Sequence, residues 1–148
     1  GEDGAVHRPV MLHRAILGSL ERFLGILIEN HAAKFPTWLA PLQVRVLPVA
    51  TAHEEYAAQV VERIAAAGGR VDMIAADDQL GKRIRSSKME KIPYILVVGD
   101  DDVAAGSVGV NPRGGQGSES VERGVSVDEF VRRFTDEVAS STAAAMTA

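Results

Sequence analysis

At 148 residues the chain fits one ordinary domain, or one domain plus an appendage. Hydrophobic residues are 46% and aromatics only 5%, so the core has to be aliphatic, and a net charge of −4 excludes a uniformly basic nucleic-acid binder while leaving room for a local basic patch. The absence of cysteine excludes disulfides and any thiolate metal site built by this chain alone, which fits a cytoplasmic protein.

No apolar run approaches the ~20 residues that span a bilayer. The polar opening Gly-Glu-Asp-Gly is no secretory signal, and its initial Gly in place of Met reads as the start of a fragment. Residues 7–14 read as a short strand, with Pro9 near its start. Gly18 and Ser19 make a turn, after which Leu20, Phe23, Leu24, Leu27 and Ile28 recur at helical spacing over 20–30. The stretch from Lys34 to Pro41 carries two prolines and reads as a linker. It divides residues 1–35, the end of another domain, from an independent domain over 42–140, with 36–41 between them.

From there the pattern is regular. Gln43–Val49 is β-rich, and Thr51 with Glu54 forms a predicted capping box. The helix that follows places Tyr56, Val60, Val61 and Ile64 on one face and ends at Gly68-Gly69. Arg70–Ala76 is a second, weaker strand. Leu80–Ile92 reads as a basic helix with a thin buried stripe of Leu80 and Ile84, ended by Pro93. Tyr94-Ile-Leu-Val-Val98 is a continuous apolar run, the pattern of a central strand covered on both faces. Ser107–Val110 and residues 120–125 predict a hairpin around a Pro-Arg-Gly-Gly-Gln-Gly loop. A second capping box, Ser126 to Glu129, opens a last helix with Phe130, Val131, Phe134 and Val138 inward, and the low-complexity residues 141–148 read as a frayed tail. The order β-α-β-α-β-β-β-α predicts an α/β fold: a mixed, largely parallel five-stranded sheet with helices on both faces, its first three strands parallel.

Several side chains invite chemistry. His13, beside a turn, is of the type that ligates zinc, and equally of the type that serves as a structural hydrogen-bonder. Arg22 lies in the first turns of a helix behind a Gly-Ser turn, where a guanidinium can grip phosphate or pair with a nearby acid. Lys82, Arg83, Arg85, Lys88 and Lys91 form a basic helical surface able to track an RNA backbone, or simply a solvated face. Asp77-Asp78 and Asp100-Asp101-Asp102 fall at carboxyl ends of predicted parallel strands, where open α/β sheets place ligands. Carboxylates there can accept hydrogen bonds from base amino groups, or cap helices. The Gly114-Gly-Gln-Gly117 run lacks a P-loop ending and reads as a flexible hairpin tip, with Arg113 open to solvent or RNA.

Three segments carry a resemblance. His7-Arg-Pro-Val-Met-Leu-His-Arg-Ala-Ile-Leu-Gly-Ser-Leu-Glu-Arg-Phe23 resembles motif 3 of class II aminoacyl-tRNA synthetases, in the version of threonyl-tRNA synthetases. Phe35-Pro-Thr-Trp-Leu-Ala-Pro41 resembles that family's junction into its C-terminal anticodon-binding domain, and Lys91-Ile-Pro-Tyr-Ile-Leu-Val-Val-Gly-Asp100 resembles the central strand of that domain. The resemblance implies that His13 is a ligand of the zinc that reads the threonine amino and hydroxyl groups. It implies that Arg22 binds ATP and the adenylate phosphate, with Ser19 near the same pocket. The other zinc ligands and motifs 1 and 2, the first of which builds the family's homodimer, would lie upstream, so this segment alone is expected to be inactive. In the anticodon-binding domain it points to Asp77, Arg85, Asp102 and Asn111 as anticodon contacts. The family often has Glu at the Asp102 position and Arg at the Asn111 position. The expected function is thus the C-terminal part of a threonine–tRNA ligase, working with threonine, Mg-ATP and threonine tRNA. The alternative is a stand-alone tRNA-binding paralogue or accessory module without ligase activity.

Overall fold

The computed structural model describes residues 1–114 and 121–147, with 142–147 described by backbone alone. Its centre is a five-stranded sheet in the order β2-β1-β3-β4-β5. β1 (Val44–Pro48), β2 (Val71–Met73) and β3 (Tyr94–Val98) are parallel, while β4 (Ser107–Pro112) and β5 (Glu122–Ser126) each run antiparallel to the strand before. The predicted mixed sheet, its three parallel strands and its terminal hairpin are all present. β1 is buried along its whole length because it has a strand on either side and is covered on both faces, which is why Val-Arg-Val-Leu does not alternate with exposed polar residues.

One face of the sheet presents Val44, Val46, Leu96, Val98, Val108 and Val110. α2 (Glu54–Ala66) and α5 (Val127–Thr147) close over it with Ala57, Val60, Ile64, Phe130 and Phe134. Each fully buried aliphatic or aromatic side chain there contributes roughly 1.5–3 kcal/mol. α3 (Leu80–Met89) lies against β1 on the opposite face. There the buried Arg45 of β1 reaches Asp72 on β2 with two hydrogen bonds (2.8 and 2.7 Å) and Glu90, just past α3, with a third (2.8 Å). Both carboxylates keep the Arg45 guanidinium charged, its pKa raised, against the cost of burial.

Several sequence expectations change. Residues 7–14 form no strand and are exposed; a strand needs an edge to pair with, and none reaches them among the described residues. Thr51 does not cap through Glu54: Thr51–His53 is a 3₁₀ turn, and the Glu54 carboxylate instead accepts the Ala76 N–H at 2.8 Å, tying α2 to the end of β2. α3 stops at Met89, followed by Lys91 at φ 61°, and its buried positions are Arg83 and Ser87 rather than Leu80 and Ile84. Arg83 can go inward because its guanidinium donates to the Asp78 and Ile74 carbonyls. A short helix absent from the sequence reading, α4 (Asp100–Ala105), occupies the second acidic cluster. Ser126 does accept the Glu129 N–H at 3.2 Å at the start of α5. That helix runs on to Thr147, as its alanine-rich end permits. Of the predicted hairpin tip, Gly114 is described, at φ 92°; residues 115–117 lie outside the described residues.

The N-terminal helix α1 (Leu20–His31) forms as its spacing predicts, yet buries none of its residues. The segment between α1 and β1 is bound to the domain by its backbone. Arg113 donates to the Phe35 and Lys91 carbonyls, Gln43 to the Thr37 carbonyl, and Arg70 to the Trp38 and Ala40 carbonyls. Among the described residues, no helix is long and apolar enough to cross a membrane.

Candidate nucleic-acid interface

α3 covers the sheet's second face only over its parallel half. Paired residues of antiparallel strands share a face, so the Val97–Gly109 and Ile95–Asn111 pairs place all four residues on that side. Beyond β3 this face is open. The result is a cleft of about 600 Å³, walled by Leu80 and Ile84 of α3, floored by Val97 and Gly109, rimmed by Asp100 to Asp102, and bordered on β5 by Arg123. Lys88, two helical turns beyond Leu80, lines a smaller hollow of about 110 Å³ together with Ile95 and Asn111. The two hollows follow each other along α3. Leu80 and Ile84, read from the sequence as the buried stripe of their helix, are half-buried walls of this cleft.

The acidic rim is held in place. His53 is buried, and its Nδ1 accepts the Ala50 N–H at 3.1 Å, which leaves Nε2 as the donor to Asp100 at 3.0 Å. Asp102 uses both oxygens: one accepts the Gly99 N–H (3.1 Å), the other the Ser107 hydroxyl (3.0 Å). The Tyr56 hydroxyl donates to the Ser107 carbonyl at 2.9 Å, and burial, with the nearby Asp102 charge, pushes its pKa up. Asp101 is exposed and has no partner among the described residues. At the other acidic cluster, Lys82 holds the Asp78 carboxyl below its usual range through an ion pair of 2.5 Å, helped by the Gln79 N–H, while Asp77 stays exposed.

The sequence-derived sites divide into two places. Asp102 lies on the cleft and Asn111 in the adjoining hollow; Asp77 and Arg85 are exposed before and on α3. His13, Ser19 and Arg22 all belong to the exposed N-terminal segment, away from the cleft lining. Ser19 caps α1, accepting the Arg22 N–H at 3.4 Å and donating to Glu21 at 2.7 Å, whereas the Arg22 guanidinium is unpaired among the described residues. No group of three or more His, Cys, Asp or Glu among the described residues could hold a metal ion. His13 alone is not a zinc donor set, and a zinc ion bound there would need its other ligands from outside the described residues. Arg113, expected to face solvent or RNA, is committed to two backbone carbonyls. Arg123 went unnoticed in the sequence. The signal for it is its place in β5, whose facing depends on the register with β4.

Residues 43–137 match the family model of the anticodon binding domain. The chain belongs to that family. It is similar to threonine–tRNA ligases from Desulforamulus reducens (44% identical over 142 residues, 96% of this chain and 22% of the relative) and Polaromonas sp. JS666 (49%, covering 94% and 21%). It is likewise similar to threonine–tRNA ligase 1 of Bacillus subtilis (46%, covering 93% and 21%). This chain thus spans about a fifth of the length of these curated relatives. Among solved structures it resembles the RNA binding domain of threonyl-tRNA synthetase from Cryptosporidium parvum, with a TM-score of 0.72, 29% identity, 84% of this chain and 30% of that one. A prolyl-tRNA synthetase from the same organism, 21% identical with a TM-score of 0.60 over 82% of this chain and 28% of that one, shares the fold. The resemblance to threonyl-tRNA synthetases read from the three sequence segments is borne out, as is the α/β fold.

Proposed function

We propose that this chain is the C-terminal part of a class II threonine–tRNA ligase, acting in the cytoplasm, and that its cleft receives the anticodon loop of threonine tRNA. The observation that carries the reading is the open half-face of the sheet: apolar walls for base rings, carboxylates for base amino groups, and exposed Arg85 and Lys88 alongside for the RNA backbone. The similarity to threonine–tRNA ligases supports the choice of tRNA, because it extends over nearly the whole chain and so includes the N-terminal segment. In this reading residues 1–35 end the catalytic domain, 36–41 join it to the anticodon-binding domain of 42–140, and 141–148 form a tail. Asp77, Arg85, Asp102 and Asn111 are its anticodon contacts.

The parent enzyme would activate threonine with Mg-ATP, as a homodimer whose interface lies elsewhere. Arg22, with its unpaired guanidinium, would hold phosphate oxygens of the nucleotide, and Ser19 would fix the helix start that presents it. His13 would be one zinc ligand among several that this chain does not supply. The segment alone is inactive in this reading.

The test is a fluorescence-anisotropy titration of the 148-residue chain with the anticodon stem-loop of threonine tRNA, and with the same stem-loop carrying another anticodon. Binding at least about tenfold tighter to the threonine loop, as one or two good base contacts give, is the expected result. Equal affinity for both loops would overturn the anticodon reading.

A further inference from the structure

The charged lining of the large cleft is uneven. Asp100, Asp101 and Asp102 line it together with one cation among the described residues, Arg123. Arg123 is exposed and, among the described residues, has neither an ion pair nor a hydrogen bond. An exposed guanidinium is solvated and needs no partner in the fold, so it is free to meet a ligand, and the question is which ligand suits both the cation and the aspartates. A phosphate would meet three carboxylates across the same opening, which like-charge repulsion disfavours. A base does not carry that penalty. Its ring packs on Val49, Leu80 and Ile84, above a floor that Gly109 leaves without a side chain.

Among the four bases, guanine alone presents two acceptors, O6 and N7, to one side and two donors, N1–H and the N2 amino group, to the adjoining side. The acceptor pair matches the fork of a guanidinium, and the donor pair matches a carboxylate. Asp101, the one of the three aspartates with no partner among the described residues, is the carboxylate free to accept.

We propose that Arg123 is a specificity-determining residue of the cleft, donating its guanidinium fork to the O6/N7 edge of a guanine whose donor edge faces the aspartate rim. This rests on the anticodon-binding reading above and adds to it a residue on β5, a strand where no contact was expected.

The experiment uses the 148-residue chain and two anticodon stem-loops, one with the anticodon CGU, which holds a single guanine, and one with adenine in its place. Wild-type chain should prefer the guanine loop. Arg123→Ala should lower affinity for that loop about tenfold or more, erase the preference, and leave the slope of affinity against salt unchanged. Arg123→Lys, which keeps the charge but loses the fork, should not restore the preference. Because Arg123 is exposed and unpaired among the described residues, both variants should unfold at the wild-type urea midpoint. An undiminished preference in Arg123→Ala overturns the proposal. A uniform loss on both loops with a shallower salt slope also overturns it, by making Arg123 a phosphate contact. Should the wild-type chain bind the threonine loop no better than a loop with an unrelated anticodon, the anticodon reading fails first and this assignment with it.

Discussion

Tyr94 illustrates how one side chain joins parts of the fold that are far apart in the sequence. It opens β3, its hydroxyl donates to Glu137 on α5 at 2.5 Å, and its ring meets Phe130 edge-on at 5.5 Å. Burial, reinforced by the hydrogen bond to Glu137, raises its pKa above the ordinary tyrosine value. The folded state therefore holds the phenolic proton more tightly than the unfolded chain does. That contribution to stability is fully present below the unfolded pKa of about 10. It is lost as pH rises from there through the folded value. Urea unfolding of wild type and Tyr94→Phe from pH 8 to pH 11.5 should show the wild type losing stability above pH 10 and the variant losing less. Parallel decline in both would remove Tyr94 as the cause. Residue roles of this kind were the least legible in the sequence. Asp102 is a candidate base contact in the sequence, but nothing there shows that each of its oxygens already accepts one hydrogen bond, from the Gly99 N–H and the Ser107 hydroxyl, so that only its remaining lone pairs are open to a base. Arg113 was read as free, yet it holds two carbonyls. Composition reveals that a group is polar; only the fold reveals which partner reaches it.

Among the elements, those with a long apolar period were legible and those defined by a side chain's partner were not. Val60, Ile64, Phe130 and Phe134 fell on the buried faces that spacing assigned them. α3 did not follow the same logic, since its inner face carries Arg83 and Ser87, whose polar groups find carbonyls, while its apolar residues wall a cleft. A helix that lines a binding surface is apolar toward the ligand, and periodicity cannot tell a ligand from a core. The turn between α2 and β2 shows the reverse case, where the Gly68-Gly69 end signal was correct and its second glycine does more than end the helix. The Gly69 N–H bonds the Ile64 carbonyl at 3.0 Å, and a Cβ there would stand 2.7 Å from Ile64 Cγ2, 3.0 Å from the Ile64 carbonyl oxygen and 3.0 Å from the Phe134 ring. No flexible side-chain end can yield on the backbone side, so Gly69→Ala must push α2 from α5. The expected cost is about 1–3 kcal/mol, the usual range for overpacking, read as a lower urea midpoint with an unchanged slope. A variant as stable as wild type would mean that the turn relaxes freely.

For the molecule as a whole, prolines and pattern mark a junction in the sequence, but not what holds it. A proline-rich stretch reads as a free linker, whereas here its carbonyls at Phe35, Thr37, Trp38 and Ala40 are gripped by Arg113, Gln43 and Arg70, residues far along the chain. The firmly held part of the chain therefore begins at Phe35, with the join itself bound to the domain. On the other side of the join, α1 buries none of its residues, and Val10, Met11, Leu12, Leu20 and Ile26 are exposed. Local opening follows buried contacts, so this segment should open at far lower cost than the sheet. Limited trypsin digestion should then cut first after Arg14, Arg22 and Lys34, and accumulate a product beginning at Phe35. Exposed lysines and arginines on α3 should be spared, because cleavage there requires unfolding a helix anchored by Arg83. The product should unfold within about 4 °C of the intact chain, less than 1 kcal/mol for a domain of this size, since the segment removed adds no buried residue to the core. Early cleavage between residues 44 and 98 with 14–34 intact would contradict a firmly held part that begins at Phe35. A product that unfolds far below the parent would mean that α1, although exposed, stabilises the domain.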